Sequence, residues 1–267
     1  MENPPSLTLA LLLGALAAAS NLAGGLLILL RPAIKKGRQT LALAFSGGFL
    51  LSVAVLNILP ESLRREPRAP MLILLGYFLV YLSEHLFAGH AHHENTPEHG
   101  GHPLIGVLPH HDGRIPIHPG AAAAATAGLT LHSFFDGASI TAALATGPSL
   151  GWLTFFAVLL HKLPEGFSQA SISLASRASR FRAVAAAAGL GLACLLGSLA
   201  TFAAARTFGS LEGPILAVAC GMFLHISATD LLPTTARVRG MATLLTTMAG
   251  FATAAAASAL LHRFLPI

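Results

Sequence analysis

Eight long apolar runs separated by short polar breaks organise the chain: residues 7–30, 40–59, 70–87, 121–145, 150–174, 183–205, 213–232 and 241–261. Each is close to the about 20 helical residues that cross the hydrocarbon of a bilayer. A helix satisfies its own backbone hydrogen bonds on such a crossing, so the pattern predicts an all-α membrane protein with eight transmembrane helices. Between the second and third runs, Pro60, Pro67 and Pro70 with Glu61, Arg64, Arg65, Glu66 and Arg68 predict a short polar turn. The fourth and fifth runs meet at Thr146, Gly147, Pro148 and Ser149, which predicts antiparallel neighbours. The first run has no basic residue before it and exceeds the length of a signal-peptide core, so it is expected to be a span.

Composition agrees with lipid as the solvent. Of 267 residues, 54% are hydrophobic and 10% charged, against roughly 25% charged in a soluble domain. The net charge of +5 does not point to nucleic acid, because the basic residues cluster between the apolar runs. With both termini on the non-cytoplasmic side, the cytoplasmic loops hold Arg31, Lys35, Lys36, Arg38, Arg114, Arg177, Arg180, Arg182, Arg237 and Arg239. The other side holds Arg64, Arg65, Arg68, Arg206 and Arg263. That bias predicts a multi-pass plasma-membrane protein in this orientation, and the alanine-rich composition with short loops suggests a bacterial inner membrane. Cys194 and Cys220 each lie inside an apolar run without metal-motif spacing.

The whole chain, 1–267, is expected to be a single transmembrane domain with one long polar connection at about 89–120, on the cytoplasmic side. His90, His92, His93, His99, His102, His110, His111 and His118 stand there among glycines and prolines. Such a strip either binds a borderline transition metal transiently or is a loop whose histidines matter little.

Chemistry concentrates in the fourth and fifth runs. The fourth carries His132-Ser133-Phe134-Phe135-Asp136-Gly137, and the fifth carries His161-Lys162-Leu163-Pro164-Glu165-Gly166. Residues four apart share one helix face, so each span presents an imidazole and a carboxylate together. Two such helices supply His132, Asp136, His161 and Glu165, a donor set suited to a divalent transition metal. Two isolated His–carboxylate pairs are the plainer alternative. Pro164 leaves the carbonyl of Leu160 without its helical donor, which predicts a kink there, with that carbonyl facing a cavity or water. Lys162 sits mid-span, either as an ammonium near Asp136 or Glu165 or as a neutral amine. It is a cation beside a cation site, or plain charge compensation for Asp136.

Two further breaks resemble each other. Asn57-Ile58-Leu59-Pro60-Glu61 ends the second run, and Asp230-Leu231-Leu232-Pro233 ends the seventh. Asn57, Glu61, Asp230 and His225 are candidates to line an entrance to the site, or are caps and interfacial residues. The fourth run echoes the fifth and the second echoes the seventh, which predicts a three-plus-two-plus-three order with inverted outer triplets.

With the paired motifs at 132–137 and 161–166, the chain resembles the ZIP family (Zrt/Irt-like proteins) of divalent metal transporters over essentially its whole length. The resemblance implies a primary site of His132, Asp136, His161 and Glu165, Zn2+ as substrate rather than catalytic cofactor, and Fe2+, Mn2+ or Cd2+ as near variants. It also implies a homodimer, movement of metal into the cytoplasm and an elevator-like shift of the bundle holding the fourth and fifth spans. The family's adjoining second site uses the residues after each histidine and a carboxylate on the sixth span. Here Ser133 and Lys162 stand after the histidines and the sixth run has no carboxylate, which suggests one metal. The competing classes are an intramembrane metallohydrolase, against which stands the absence of an HExxH pattern, and a metal sensor that moves no ion.

Overall fold

A computed structural model describes residues 7–27, 36–88, 119–208, 211–236 and 240–264. All eight histidines of the polar connection at 89–120 lie outside them. The described residues form ten α-helices: α1 (Leu7–Leu27), α2 (Lys36–Val53), α3 (Leu59–Arg65), α4 (Ala69–Ala88), α5 (Pro119–Thr146), α6 (Pro148–Ala175), α7 (Arg180–Phe208), α8 (Glu212–His225), α9 (Leu232–Ala236) and α10 (Met241–Phe264). Among the described residues, five continuous stretches are long and apolar enough to cross a membrane: Leu7–Leu27, Thr40–Arg65, Arg180–Phe208, Glu212–Leu231 and Met241–Phe264. Helices α5 and α6, at 28 residues each, have the length but dilute their apolar content with inward-facing polar side chains. The protein is thus all-α and spans the membrane several times.

Pro60 and Pro233 do not end their helices, contrary to the sequence reading. A π-helical turn, Ala54–Ile58, joins α2 to α3, and a second, Ile226–Leu231, joins α8 to α9. At the first, the Leu59 N–H reaches back to the carbonyl of Ala54; at the second, the Leu232 N–H reaches that of Ser227. The wider π turn gives each proline ring room against the preceding carbonyls and places it in the first turn of the next helix, where its missing N–H costs little. The expected polar turn between the second and third runs therefore shrinks to Glu66–Arg68, and Gly147 alone parts α5 from α6.

The helices sort into two bundles. Helices α1, α5, α6 and α7 pack on one another, and α2, α3, α4, α8, α9 and α10 form the other group. Inside each, glycines bring backbones together in reciprocal pairs. A Cβ on Gly137 would lie 1.8 Å from the carbonyl oxygen of Cys194, and one on Gly197 would lie 1.8 Å from that of Phe134, so α5 and α7 meet without side chains between them. Gly24 and Gly166 join α1 to α6 in the same way, Gly48 and Gly250 join α2 to α10, and Gly76 and Gly221 join α4 to α8. Where lipid supplies no hydrophobic drive between helices, such close approach is what packs them. Contacts between the bundles use side chains instead: Ser46 of α2 on α6, Phe223 of α8 on His161, and Arg65 of α3 on the end of α5.

Candidate metal centre

The four predicted donors converge. One ligand atom from each of His132, Asp136, His161 and Glu165 can be chosen so that all lie within 4.8 Å of one another, and all four residues are buried. The i,i+4 spacing on α5 and on α6 turns each pair to the helix–helix contact, as one-face geometry requires. Asp136 Oδ2 lies 3.1 Å from His132 Nε2 and 3.4 Å from His161 Nε2, and Glu165 Oε2 lies 3.8 Å from His132 Nε2.

Hydrogen bonding fixes one tautomer. The Nδ1–H of His161 donates to the carbonyl of Ala157 at 2.8 Å, so in the neutral ring Nε2 carries its lone pair toward the carboxylates. Two acceptors, His161 Nε2 and Asp136 Oδ2, then face each other at 3.4 Å, an arrangement that suits a shared cation. Asp136 Oδ1 and His132 Nδ1 are buried with no hydrogen-bond partner. Buried orphans of this kind call for a ligand, water or ion.

Lys162 is wholly buried and holds both carboxylates. Its Nζ lies 2.6 Å from Asp136 Oδ2 and 2.8 Å from Glu165 Oε2, and it donates to Ser133 Oγ at 2.6 Å. Ser133 in turn donates to Glu165 Oε1 at 2.5 Å. With Glu165 Oε1 at 3.1 Å, Nζ has four oxygens around it from two carboxylates and a hydroxyl, a setting that suits an ammonium.

A cavity of about 50 Å³ adjoins the cluster, room for a few waters. Leu129, His132, His161, Glu165, Ser168 and Asp230 are among its lining residues. Its lining residues on α5, Gly128 and Leu129, precede His132, and those on α6, Pro164, Glu165 and Ser168, follow His161. On the other side the Phe223 ring packs edge-on against His161, with centroids 6.1 Å apart, and is almost fully buried.

The pathway candidates disperse. Asp230, in the second π turn, reaches the cavity wall. Asn57 instead accepts a hydrogen bond from Ser258 of α10, Glu61 pairs with Arg64 and Arg65, and the His225 ring packs against Tyr77 and Tyr81, with centroids 4.7 and 6.3 Å apart. These three do not line the cavity. Helix α6 runs unbroken through Pro164, and the carbonyl it leaves free, Leu160, accepts from Ser46 Oγ at 3.0 Å rather than facing the cavity. Sequence reasoning passed over Ser46, and its hydroxyl inside an apolar run was the only signal. It also passed over Gln169, which donates to Thr126 at 2.8 Å and Ser173 at 3.2 Å one turn beyond Glu165.

Residues 109–258 match the family described as ZIP zinc transporter, more than half of the chain. The chain belongs to the ZIP family. That family is one of transporters, not enzymes. The chain is 35% identical to zinc transporter ZIP4 of Homo sapiens over 117 residues, 43% of this chain and 18% of that protein. With zinc transporter zipt-7.1 of Caenorhabditis briggsae it shares 29% over 106 residues, 39% of this chain and 27% of the relative. These matches span under a third of the relatives' own lengths. Zinc transporter ZupT of Enterobacter sp. (strain 638) aligns more fully, 25% identical over 84% of this chain and 85% of that protein.

Proposed function

We propose that this ZIP protein carries divalent transition-metal ions, Zn2+ foremost, across the membrane toward the cytoplasm by alternating access, with His132, Asp136, His161 and Glu165 as the ligands. The observation that carries the reading is the convergence of two imidazoles and two carboxylates from α5 and α6 on one buried point. Nitrogen and oxygen donors together favour Zn2+, Fe2+ or Mn2+ over Mg2+ or Ca2+. Occupation of the neighbouring space by the Lys162 ammonium supports a single ion per site.

The architecture supports an eight-span chain with inverted triplets. One constant shift in residue number carries Gly24 onto Gly197, Gly48 onto Gly221, Asn57 onto Asp230 and Pro60 onto Pro233. One residue more carries Gly76 onto Gly250. The shift takes the α1–α6 glycine contact onto the α7–α5 contact and the α2–α10 contact onto α8–α4, while Gly137 and Gly166 follow the two site carboxylates. A repeat offset by five spans is inverted in the membrane, and exchange of the two halves' conformations gives alternating access.

The cavity extends toward the end that carries Arg177, Arg180 and Arg182, the cytoplasmic end by the positive-inside rule, so this conformation faces inward. Glycine-mediated packing within each bundle, and side-chain contact between them, supports a rigid shift of α1, α5, α6 and α7 against the rest. The fuller match to a bacterial zinc transporter favours a bacterial inner membrane, with a homodimer as the working assembly and the histidines of 89–118 as cytoplasmic acceptors of metal. In proteoliposomes, His161→Ala is expected to abolish zinc uptake while the protein stays folded and monodisperse. Undiminished uptake would overturn the ligand assignment.

A further inference from the structure

The Lys162 ammonium sits on the carboxylate oxygens that face the two imidazoles. Asp136 Oδ2, which faces both imidazoles, is also the atom 2.6 Å from Lys162 Nζ. Glu165 Oε2, the carboxylate oxygen facing His132, is 2.8 Å from that nitrogen. An ion held by these carboxylates sits beside the ammonium and shares their charge with it, and an ion that leaves returns that charge to Lys162 alone. Lys162 cannot leave with the ion, because it is tethered to α6 one residue after His161.

We infer that Lys162 is a built-in counter-cation that lets the empty carrier return across the membrane without a bound metal. This rests on the transport reading above. With neutral imidazoles, two carboxylates and one ammonium, the empty site carries one negative charge and the zinc-loaded site one positive charge. Without the lysine the loaded site is neutral and the empty site carries two negative charges. The cost of holding charge in a poorly polarisable interior grows with its square, so the empty site of a lysine-free carrier resists reorientation roughly fourfold more. Lys162 therefore equalises the loaded and empty half-cycles. Its loss slows only the empty one.

The ion flux can be read in two modes in sealed phosphatidylcholine proteoliposomes: net uptake of radiolabelled Zn2+ into zinc-free vesicles, and exchange of label into vesicles preloaded with unlabelled Zn2+. Lys162→Met is expected to raise the ratio of exchange to net uptake at least tenfold over the native protein. In the native protein, preloading is expected to accelerate uptake by less than about threefold, since return of the empty carrier is not limiting. That measurement needs no variant to fold. An unaltered ratio in Lys162→Met, equal loss of both modes in it, or a tenfold acceleration of the native protein by preloading would each overturn the inference while leaving the transport reading standing. Absence of zinc flux from the native protein in both modes would instead remove the transport reading, and this inference with it.

Discussion

Ser46 of α2 donates its hydroxyl hydrogen to the carbonyl oxygen of Leu160 on α6 at 3.0 Å, the carbonyl to which Pro164 can offer no N–H. A proline one residue before Glu165 would otherwise leave an unpaired acceptor beside the site, and the partner comes from the opposite bundle. Ser46→Ala is expected to cost about 1 kcal/mol, the lower end of the penalty for an acceptor left unsatisfied, since the bond is part-buried. In a Pro164→Ala background the same change is expected to cost less than half as much, because residue 164 then supplies the N–H. Thermal unfolding of the four proteins in detergent measures both costs, and equal costs in the two backgrounds would refute the pairing.

The glycine contacts separate positions that tolerate a methyl group from positions that do not. Gly137→Ala places a Cβ into the carbonyl of Cys194, a backbone atom that cannot step aside, whereas a Cβ on Gly189 meets nothing within 4 Å. Gly137→Ala is expected to destabilise by about 3 kcal/mol or more. Gly189→Ala is expected to be neutral, or stabilising by up to about 1 kcal/mol through helix propensity. The fraction of monodisperse protein after a heat step ranks the two.

The parts legible in the sequence are those that depend on spacing along one helix. His132 with Asp136, and His161 with Glu165, are four apart, and an α-helix leaves such a pair no option but a shared face. The partner of each helix was legible because Gly147 and Pro148 leave no chain with which to separate α5 from α6. Pro60 and Pro233 misled because a helix end and a π turn look alike in residue types, and the difference lies in one hydrogen-bond register. Asn57, Glu61 and His225 show the other limit. A polar group in an apolar helix announces that it has a partner but not which one: Glu61 finds Arg65 four residues on, a pairing open to spacing, whereas the partners of Asn57 and His225, Ser258 and Tyr77, come from packing that no run of hydrophobicity encodes.

Asp230 tests the side of the cavity away from the ligands. It stands in the π turn on the bundle opposite to His161 and Glu165 and lines the same cavity, so its carboxylate adds negative potential along the cavity without belonging to the four-donor cluster. A low-dielectric channel focuses that potential on a passing cation. Asp230→Asn is therefore expected to lower the initial rate of zinc uptake about three- to tenfold. The affinity of the detergent-solubilised protein for one Zn2+, read by calorimetry, is expected to change less than about twofold. Equal losses in rate and affinity would make Asp230 a ligand, and an unchanged rate would remove it from the path.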